Sequence, residues 1–364
     1  MNIADKQFIF TAFGVSGREE PVRREIERFI RPLVDEIIHD TTGSLVGVRR
    51  GKVREDAAAR TPAKRGNGKR RIMITAHMDS IGFVITHIDK DGFLRFSEVG
   101  HQVAAYLLGR RVVFENGHIG VIGIEKLDGE KMPRKEKMFI DIGAPDRREA
   151  ERSVRVGDMC AVYAPFTATD RIVTGGWMDD RIGCFVLLEV LTRLKNPKHD
   201  IYFVFSSQEE VGLRGATTTA YRIEPDLGIA VDVTISSDLP EGEPIGSSSL
   251  GRGAAIKFMD RSVIVPRKLA LYLEDLARKH GIPHQRDVIR QGGTDAHAMQ
   301  LSRGGVLAGG ISIPTRYVHS SGEMCVLDDV RACIDLVCRV CEDTLQSGLE
   351  FPEHDGAVLP AESE

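Results

Sequence analysis

The chain has 364 residues, 42% hydrophobic and 28% charged, a balance that fits a soluble globular protein of one large domain or two ordinary ones. Its formal net charge of −4 argues against nucleic-acid or polyanion binding. No apolar run reaches the ~18 residues of a membrane span, and the opening MNIADKQFIFTAFG lacks the basic-then-apolar plan of a secretory signal, so a cytoplasmic location is expected.

Ser16-Gly-Arg-Glu19 reads as a capping box with Pro21 in the first turn. It predicts a helix that buries Val22, Ile26, Phe29, Ile30, Leu33 and Ile37. A hairpin-like stretch follows at Ser44–Arg49. Residues 54–70, REDAAARTPAKRGNGKR, have the basic, Ala- and Gly-rich texture of an exposed loop, with a charge that solvation explains. Ile72–Ala76 is a short apolar strand ended by His77-Met-Asp79.

From residue 82 to 166 short strands alternate with Gly-containing turns, and only DRREAERSV reads as helical. This is the pattern of a β-rich module inserted into something else. Beyond it helices and strands alternate: a helix at 180–194 with Ile182, Val186, Leu187, Val190 and Leu194 inward, a strand at 201–207, a helix near 214–222, then strands Leu227–Val231 and Ala254–Phe258. Pro266 opens a helix that Gly281 closes. A strand at Gly305–Gly309 and a Cys-bearing helix follow, and the polar tail 351–364 is expected to be disordered. Such alternation implies an α/β fold with a mostly parallel central sheet flanked by helices. The catalytic unit is then 1–81 with 167–350, interrupted by 82–166.

Of the six cysteines, Cys338 and Cys341 form a CxxC. Cys333, Ile334, Val337, Cys338 and Cys341 also share helical spacing with Val330 and Leu345. They read as one apolar helix face, since no second CxxC exists to complete a zinc site.

Polar residues cluster where strands are expected to end. His77 and Asp79 follow IMITA, Asp179 and Asp180 follow the Gly175-Gly176 turn, Glu209-Glu210 follow IYFVFSS, Asp232 follows LGIAV, and His319 follows ISIPTRYV. Ligand and catalytic groups in open α/β sheets lie at such carboxyl ends. Taken singly, each has a plain structural explanation, such as a helix N-terminus for Asp179-Asp180 or a turn at Asp232. Two adjacent acids at a buried strand end repel each other unless a cation compensates them. Imidazoles with carboxylates form a site that suits Zn²⁺, Co²⁺ or Mn²⁺. The set is too large for one catalytic zinc and suits two metals sharing a carboxylate.

The motifs AHMDSIGFVI, GGWMDDRIGC, SSQEEVGLRGA, AVDVTI, QGGTDAHA and IPTRYVHSSGEM, in this order, resemble the M42 family of dinuclear metallo-aminopeptidases, the TET-type enzymes, some once labelled glutamyl aminopeptidases or endoglucanases. The resemblance runs from FGVSGREEPVRREI to the Cys-bearing helix. It implies a zinc-peptidase α/β domain and a PDZ-like dimerisation role for residues 82–166. It implies two divalent metal ions per subunit, Zn²⁺ first, and dimers assembling into a tetrahedral dodecamer. By the same resemblance Asp179 matches the bridging ligand. His77 and Asp232 match the remaining ligands of one metal, and Glu210 and His319 those of the second. Glu209 matches the general base, and Asp79 the carboxylate that orients His77, while Asp180 and Arg181 flank the bridge in support. Gly292–Asp295 matches a loop lining the site. Two positions depart from the family pattern: Ser80 stands where a Glu is usual after HMD, and His297 where a Gly is usual after GGTDA.

The expected reaction is metal-assisted removal of the N-terminal residue from short peptides. The alternatives are a glycoside hydrolase, which also uses paired carboxylates, and a non-catalytic metal-binding scaffold. Adjacent Glu209 and Glu210 are poorly placed for opposite faces of a sugar, and Trp177 is the sole tryptophan. The scaffold reading should lack a base, yet Glu209 is present.

Overall fold

The computed structural model describes residues 3–52, 69–126, 134–240, 245–345 and 349. Most of the basic 54–70 stretch and the whole tail 351–364 lie outside the described residues.

Four strands form the centre of the main sheet: Asp200–Ser206, Arg71–His77, Leu227–Ile235 and Leu307–Arg316 lie side by side in that order, all parallel. They are rich in Ile, Val, Leu and Phe and almost wholly buried, as expected for strands covered on both faces. Antiparallel strands extend both flanks, Glu36–His39 and Leu45–Arg49 on one side and Glu323–Val326 and Ile172–Gly175 on the other. Eleven strands make up this sheet among the described residues.

The helix Met178–Arg193 packs on the central strands and against Leu327–Glu342. Its apolar residues run all round it, Phe185, Leu188 and Leu191 being as buried as Ile182 and Val186, so it is a sandwiched helix rather than a surface one. Arg214–Ile223 and Asp295–Gln300 pack on each other and on the central strands. Cys333 and Cys341 are buried on the helix Leu327–Glu342 and Cys338 is half-buried there. Burial pushes the Cys333 and Cys341 thiols well above their usual range, which makes them small core hydrophobes.

The chain leaves the sheet after His77 and rejoins it at Thr167–Ala168 and Ile172–Gly175. Between them six antiparallel strands close into a barrel: Gly82–Ile88, Leu94–Val99, Met138–Asp141, Ile119–Ile124, Arg111–Phe114 and Met159–Val162. The barrel has a core of its own around Phe83, Leu94, Val112, Phe114 and Ile140. Among the described residues, no helix is long and apolar enough to cross a membrane.

Several local expectations need correction. The helix near the N-terminus spans Glu20–Ile30 and stops there; Leu33 lies in a short 3-10 turn and Ile37 in a strand. No capping box forms: Glu19 sits at the cap without a side-chain cap bond. Its Oε1 instead accepts the backbone N–H of Gly17 and Gln208, and the Ser16 hydroxyl is drawn away to Asp79. The strand expected to end at Val231 runs on to Ile235, so Asp232 sits within a strand. The strand read at Gly305–Gly309 starts at Leu307 and continues past Pro314 to Arg316.

Candidate metal centre

Three parallel strands and two tight turns deliver the polar set to one edge of the sheet. His77 is the last residue of Arg71–His77. Glu209 and Glu210 follow Asp200–Ser206, and Asp232 projects from Leu227–Ile235. Asp179 comes from the turn after Ile172–Gly175, where Trp177 is left-handed at φ 66° and the Asp179–Asp180 peptide is cis. His319 follows Leu307–Arg316 and is itself left-handed at φ 62°.

The two oxygens of Asp179 face two different imidazoles. Oδ1 lies 2.9 Å from His77 Nε2 and Oδ2 lies 3.2 Å from His319 Nε2. His77 Nε2 is also 3.8 Å from Asp232 Oδ1, and His319 Nε2 is 3.6 Å from Glu210 Oε1. Within each of the sets His77–Asp179–Asp232 and Asp179–Glu210–His319, one candidate ligand atom per residue lies within 4.8 Å of the others. Glu209 Oε2 approaches His77 Nε2 at 3.9 Å.

The residues present fit divalent cations. Glu210 Oε1 is buried with no hydrogen-bond partner, a costly state for a carboxylate oxygen unless something positive meets it. Burial raises Glu209 and Asp232 well above the carboxylate range, and raises Glu210 to about 7 against the pull of His319. Burial opposes protonation of the imidazoles, but Glu209 and Asp179 beside His77, and Asp179 and Glu210 beside His319, outweigh it. His77 is lifted well above its usual value and His319 to about 10. Burial would likewise raise Asp179, yet the hydrogen bonds from His319 and His77 hold it well below the carboxylate range. A metal-free cluster of this kind has to hold protons; cations can take their place. Nitrogen and oxygen donors with no thiolate suit Zn²⁺, Co²⁺ or Mn²⁺.

The supporting contacts explain how such a cluster is held. His77 Nδ1 lies 3.1 Å from the backbone carbonyl of Asp79 and 3.5 Å from its Oδ1. A carbonyl can only accept, so Nδ1 carries the hydrogen and Nε2 is left to face the cluster. The Asp79 carboxylate accepts the backbone N–H of Glu209 and Glu210 at 3.0 and 3.2 Å, and the Ser16 hydroxyl at 2.6 Å. These bonds and the neighbouring His77 outweigh its complete burial and keep Asp79 below its usual value. Asp180 accepts the backbone N–H of His77 and of Gly183. Arg181 points away from the cluster to the carbonyls of Ile9, Ala12 and Gly14. A Cβ at Gly14 would lie 2.5 Å from Arg181 Nη2, so only glycine leaves room for that approach. Asp295, at the start of its helix, accepts the hydroxyls of Thr75 and Ser206 beneath the site.

Ser80 lines the cavity beside the cluster, and its backbone N–H and hydroxyl both donate to Gly14 O. His297 is engaged elsewhere, its Nδ1 lying 2.9 Å from Ser262 O. The barrel supplies part of the cavity wall through Gln102, Tyr106, Leu107 and Val162. Sequence reasoning overlooked Glu323, which is buried beside Asp179 and His319. Its position four residues after His319 in HSSGEM carries no distinguishing signal by itself.

The sequence profile of the M42 glutamyl aminopeptidase family matches residues 60–336. A protein of Acetivibrio thermocellus, provisionally named an aminopeptidase, is 42% identical over 89% of this chain and 93% of its own length. Among solved structures, the aminopeptidase APDkam598 of the archaeon Desulfurococcus kamchatkensis superposes with a TM-score of 0.85 at 37% identity, covering 93% of this chain and 95% of that one. The TET1 peptidase of Pyrococcus horikoshii, described as assembling into a tetrahedron or a large octahedral shell, gives a TM-score of 0.80 at 32% identity over 94% of this chain and 99% of that one.

Proposed function

The chain belongs to the M42 glutamyl aminopeptidase family, and we propose that it is a dinuclear metal-dependent aminopeptidase that removes N-terminal residues from short peptides. The observation that carries this reading is the division of Asp179, with one oxygen toward His77 and the other toward His319. His77 and Asp232 complete one cation position; Glu210 and His319 complete the other. Zn²⁺ is the first expectation, with Co²⁺ and Mn²⁺ as alternatives.

Cations held there supply Lewis acidity, making water a nucleophile near neutral pH and polarising the scissile carbonyl. Glu209, a ligand in neither set, receives the proton of the attacking water. As the new C–O bond forms and the C–N bond breaks, Glu209 passes that proton to the departing amine. Asp79 keeps Glu209 and Glu210 at their stations through the backbone. The acidic surroundings favour the free α-amino group of the substrate, which confines cleavage to the N-terminal residue. The low exposure of these side chains strengthens each electrostatic contact.

We assign residues 1–81 and 167–350 to the catalytic domain and 82–166 to the inserted PDZ-like dimerisation domain. Self-assembly of dimers into a tetrahedral dodecamer is proposed by analogy with the TET1 relative. The test is chelation followed by metal titration, with hydrolysis of a panel of aminoacyl-nitroanilides as the readout. Two cations per chain and metal-restored hydrolysis are expected. Undiminished hydrolysis by metal-free protein, or activity on carboxymethyl cellulose in place of the nitroanilides, would overturn the reading.

A further inference from the structure

We propose that Glu323 is a positioning residue that sets the spacing of the second cation position by holding the backbones of Asp179 and His319. This rests on the two-cation reading above. Glu323 begins the strand Glu323–Val326, is only 2% exposed, and stands opposite Gly175 in antiparallel register. That place lies between two segments that reach the site from different strands. One runs from Gly176 to Asp179 after Ile172–Gly175; the other runs from Tyr317 to His319 after Leu307–Arg316.

Each segment passes through left-handed backbone at large side chains: φ is 66° at Trp177, 60° at Tyr317 and 62° at His319. Such residues keep this conformation only where surrounding contacts over-determine it. Glu323 supplies one contact to each segment. Its Oε2 accepts the Asp179 N–H at 3.1 Å, and its Oε1 accepts the His319 N–H at 2.7 Å. Both oxygens are thereby engaged with amides, and Glu323 belongs to neither converging ligand set. The carboxylate therefore acts through the two ligands rather than on a cation.

The requirement is for an acceptor at both ends. A carboxylate has one on each oxygen; a glutamine has one acceptor and one donor group. Glu323→Gln would leave one backbone N–H facing an NH₂. The cation position built from Asp179, Glu210 and His319 should suffer most, since two of its three residues lose their brace, while the other keeps His77 and Asp232.

The experiment is a Co²⁺ titration of chelated full-length protein, with stoichiometry from equilibrium dialysis and coordination from the visible absorption bands. Wild-type protein should take up two equivalents. Because Asp179 serves both positions, Glu323→Gln should weaken the first equivalent only slightly and the second about 10- to 100-fold, the larger loss falling where both Asp179 and His319 lose their brace. Excess Co²⁺ should then restore its hydrolysis of leucyl-nitroanilide. Second-equivalent affinity equal to wild type in a folded Glu323→Gln protein overturns the proposal. Should that variant fail to fold by circular dichroism, the shorter Glu323→Asp decides by the same titration. If neither folds, Glu323 is a folding residue and the proposal falls. A wild-type chain that binds fewer than two equivalents defeats the two-cation reading instead.

Discussion

The Asp79 carboxylate receives the backbone N–H of Glu209 at 3.0 Å, joining segments 130 positions apart in sequence. Its other oxygen receives the N–H of Glu210 and the hydroxyl of Ser16. A residue two positions after a candidate ligand thus fixes the two acids that complete the site. Asp79→Asn should disturb this, because an amide group must turn an NH₂ toward one of the same donors. We expect kcat or cation affinity to fall by about 10- to 100-fold, with a stability loss of about 1–3 kcal/mol. Steady-state kinetics at saturating metal, paired with metal titration, tests this. Wild-type values for both would remove Asp79 from the supporting frame.

Glu209 and Glu210 are adjacent, yet they part company at the cluster. Glu210 joins Asp179 and His319 in a converging set, whereas Glu209 stays outside both sets with Oε2 3.9 Å from His77 Nε2. Glu209→Gln should therefore retain both cations and lose about 10²- to 10⁴-fold in kcat, the usual contribution of a general base. Metal content by elemental analysis is read beside turnover. Near-normal peptidase activity in a fully loaded Gln variant would end the assignment of Glu209 as the base.

Arg181 is fully buried, and its guanidinium is spent on three carbonyls, those of Ile9, Ala12 and Gly14. Burial depresses it to about 10, against the pull of Cys184, Asp79 and Glu19. The segment it grips continues through Val15, bridged to Ser80, to Ser16 on Asp79. Arg181→Met keeps most of the volume but leaves the carbonyls without that donor. We expect a loss of about 3 kcal/mol, in the range for breaking buried charged hydrogen bonds, and faster proteolysis near the N-terminus. A denaturation midpoint within error of wild type would refute the clamp.

Some ligand candidates were legible because an apolar run that reads as a buried strand leads into them, whereas Asp179 follows a glycine turn, and the division into two ligand sets came only with the resemblance. His77 closes IMITA, and Glu209-Glu210 follow IYFVFSS. The parallel centre of the sheet was legible from the alternation of strands with helices beyond residue 166. What stayed hidden was support through the backbone. Ser16 and Glu19 have the spacing of a capping box, but tertiary contacts with Asp79 and Gln208 take their side chains instead. Glu323 meets Asp179 across 144 positions, and no local pattern reports that encounter. Asp232 was read as a strand end because its charge interrupts an apolar run, although the strand continues to Ile235.

Asp238 and Arg316 give a pH-dependent contribution at some remove from the cluster. The guanidinium donates to both carboxylate oxygens, Nε to Oδ1 at 2.9 Å and Nη2 to Oδ2 at 2.8 Å, and Ser236 adds its hydroxyl. The Arg316 hydrogen bonds are the largest cause holding Asp238 down to about 2, with burial opposing them. A carboxylate lowered on folding binds fewer protons folded than unfolded in the window between the two pKa values. Its stabilisation is therefore complete above the usual value of 3.8 and is lost as pH falls through about 2. Partial exposure of the pair reduces the effect to about 1 kcal/mol. Asp238→Asn should thus unfold at lower denaturant than wild type at pH 7, with the gap closing between about pH 4 and pH 2. Denaturation curves across that range check it, and a gap that stays constant down to pH 2 would show that the ionised carboxylate is not its source.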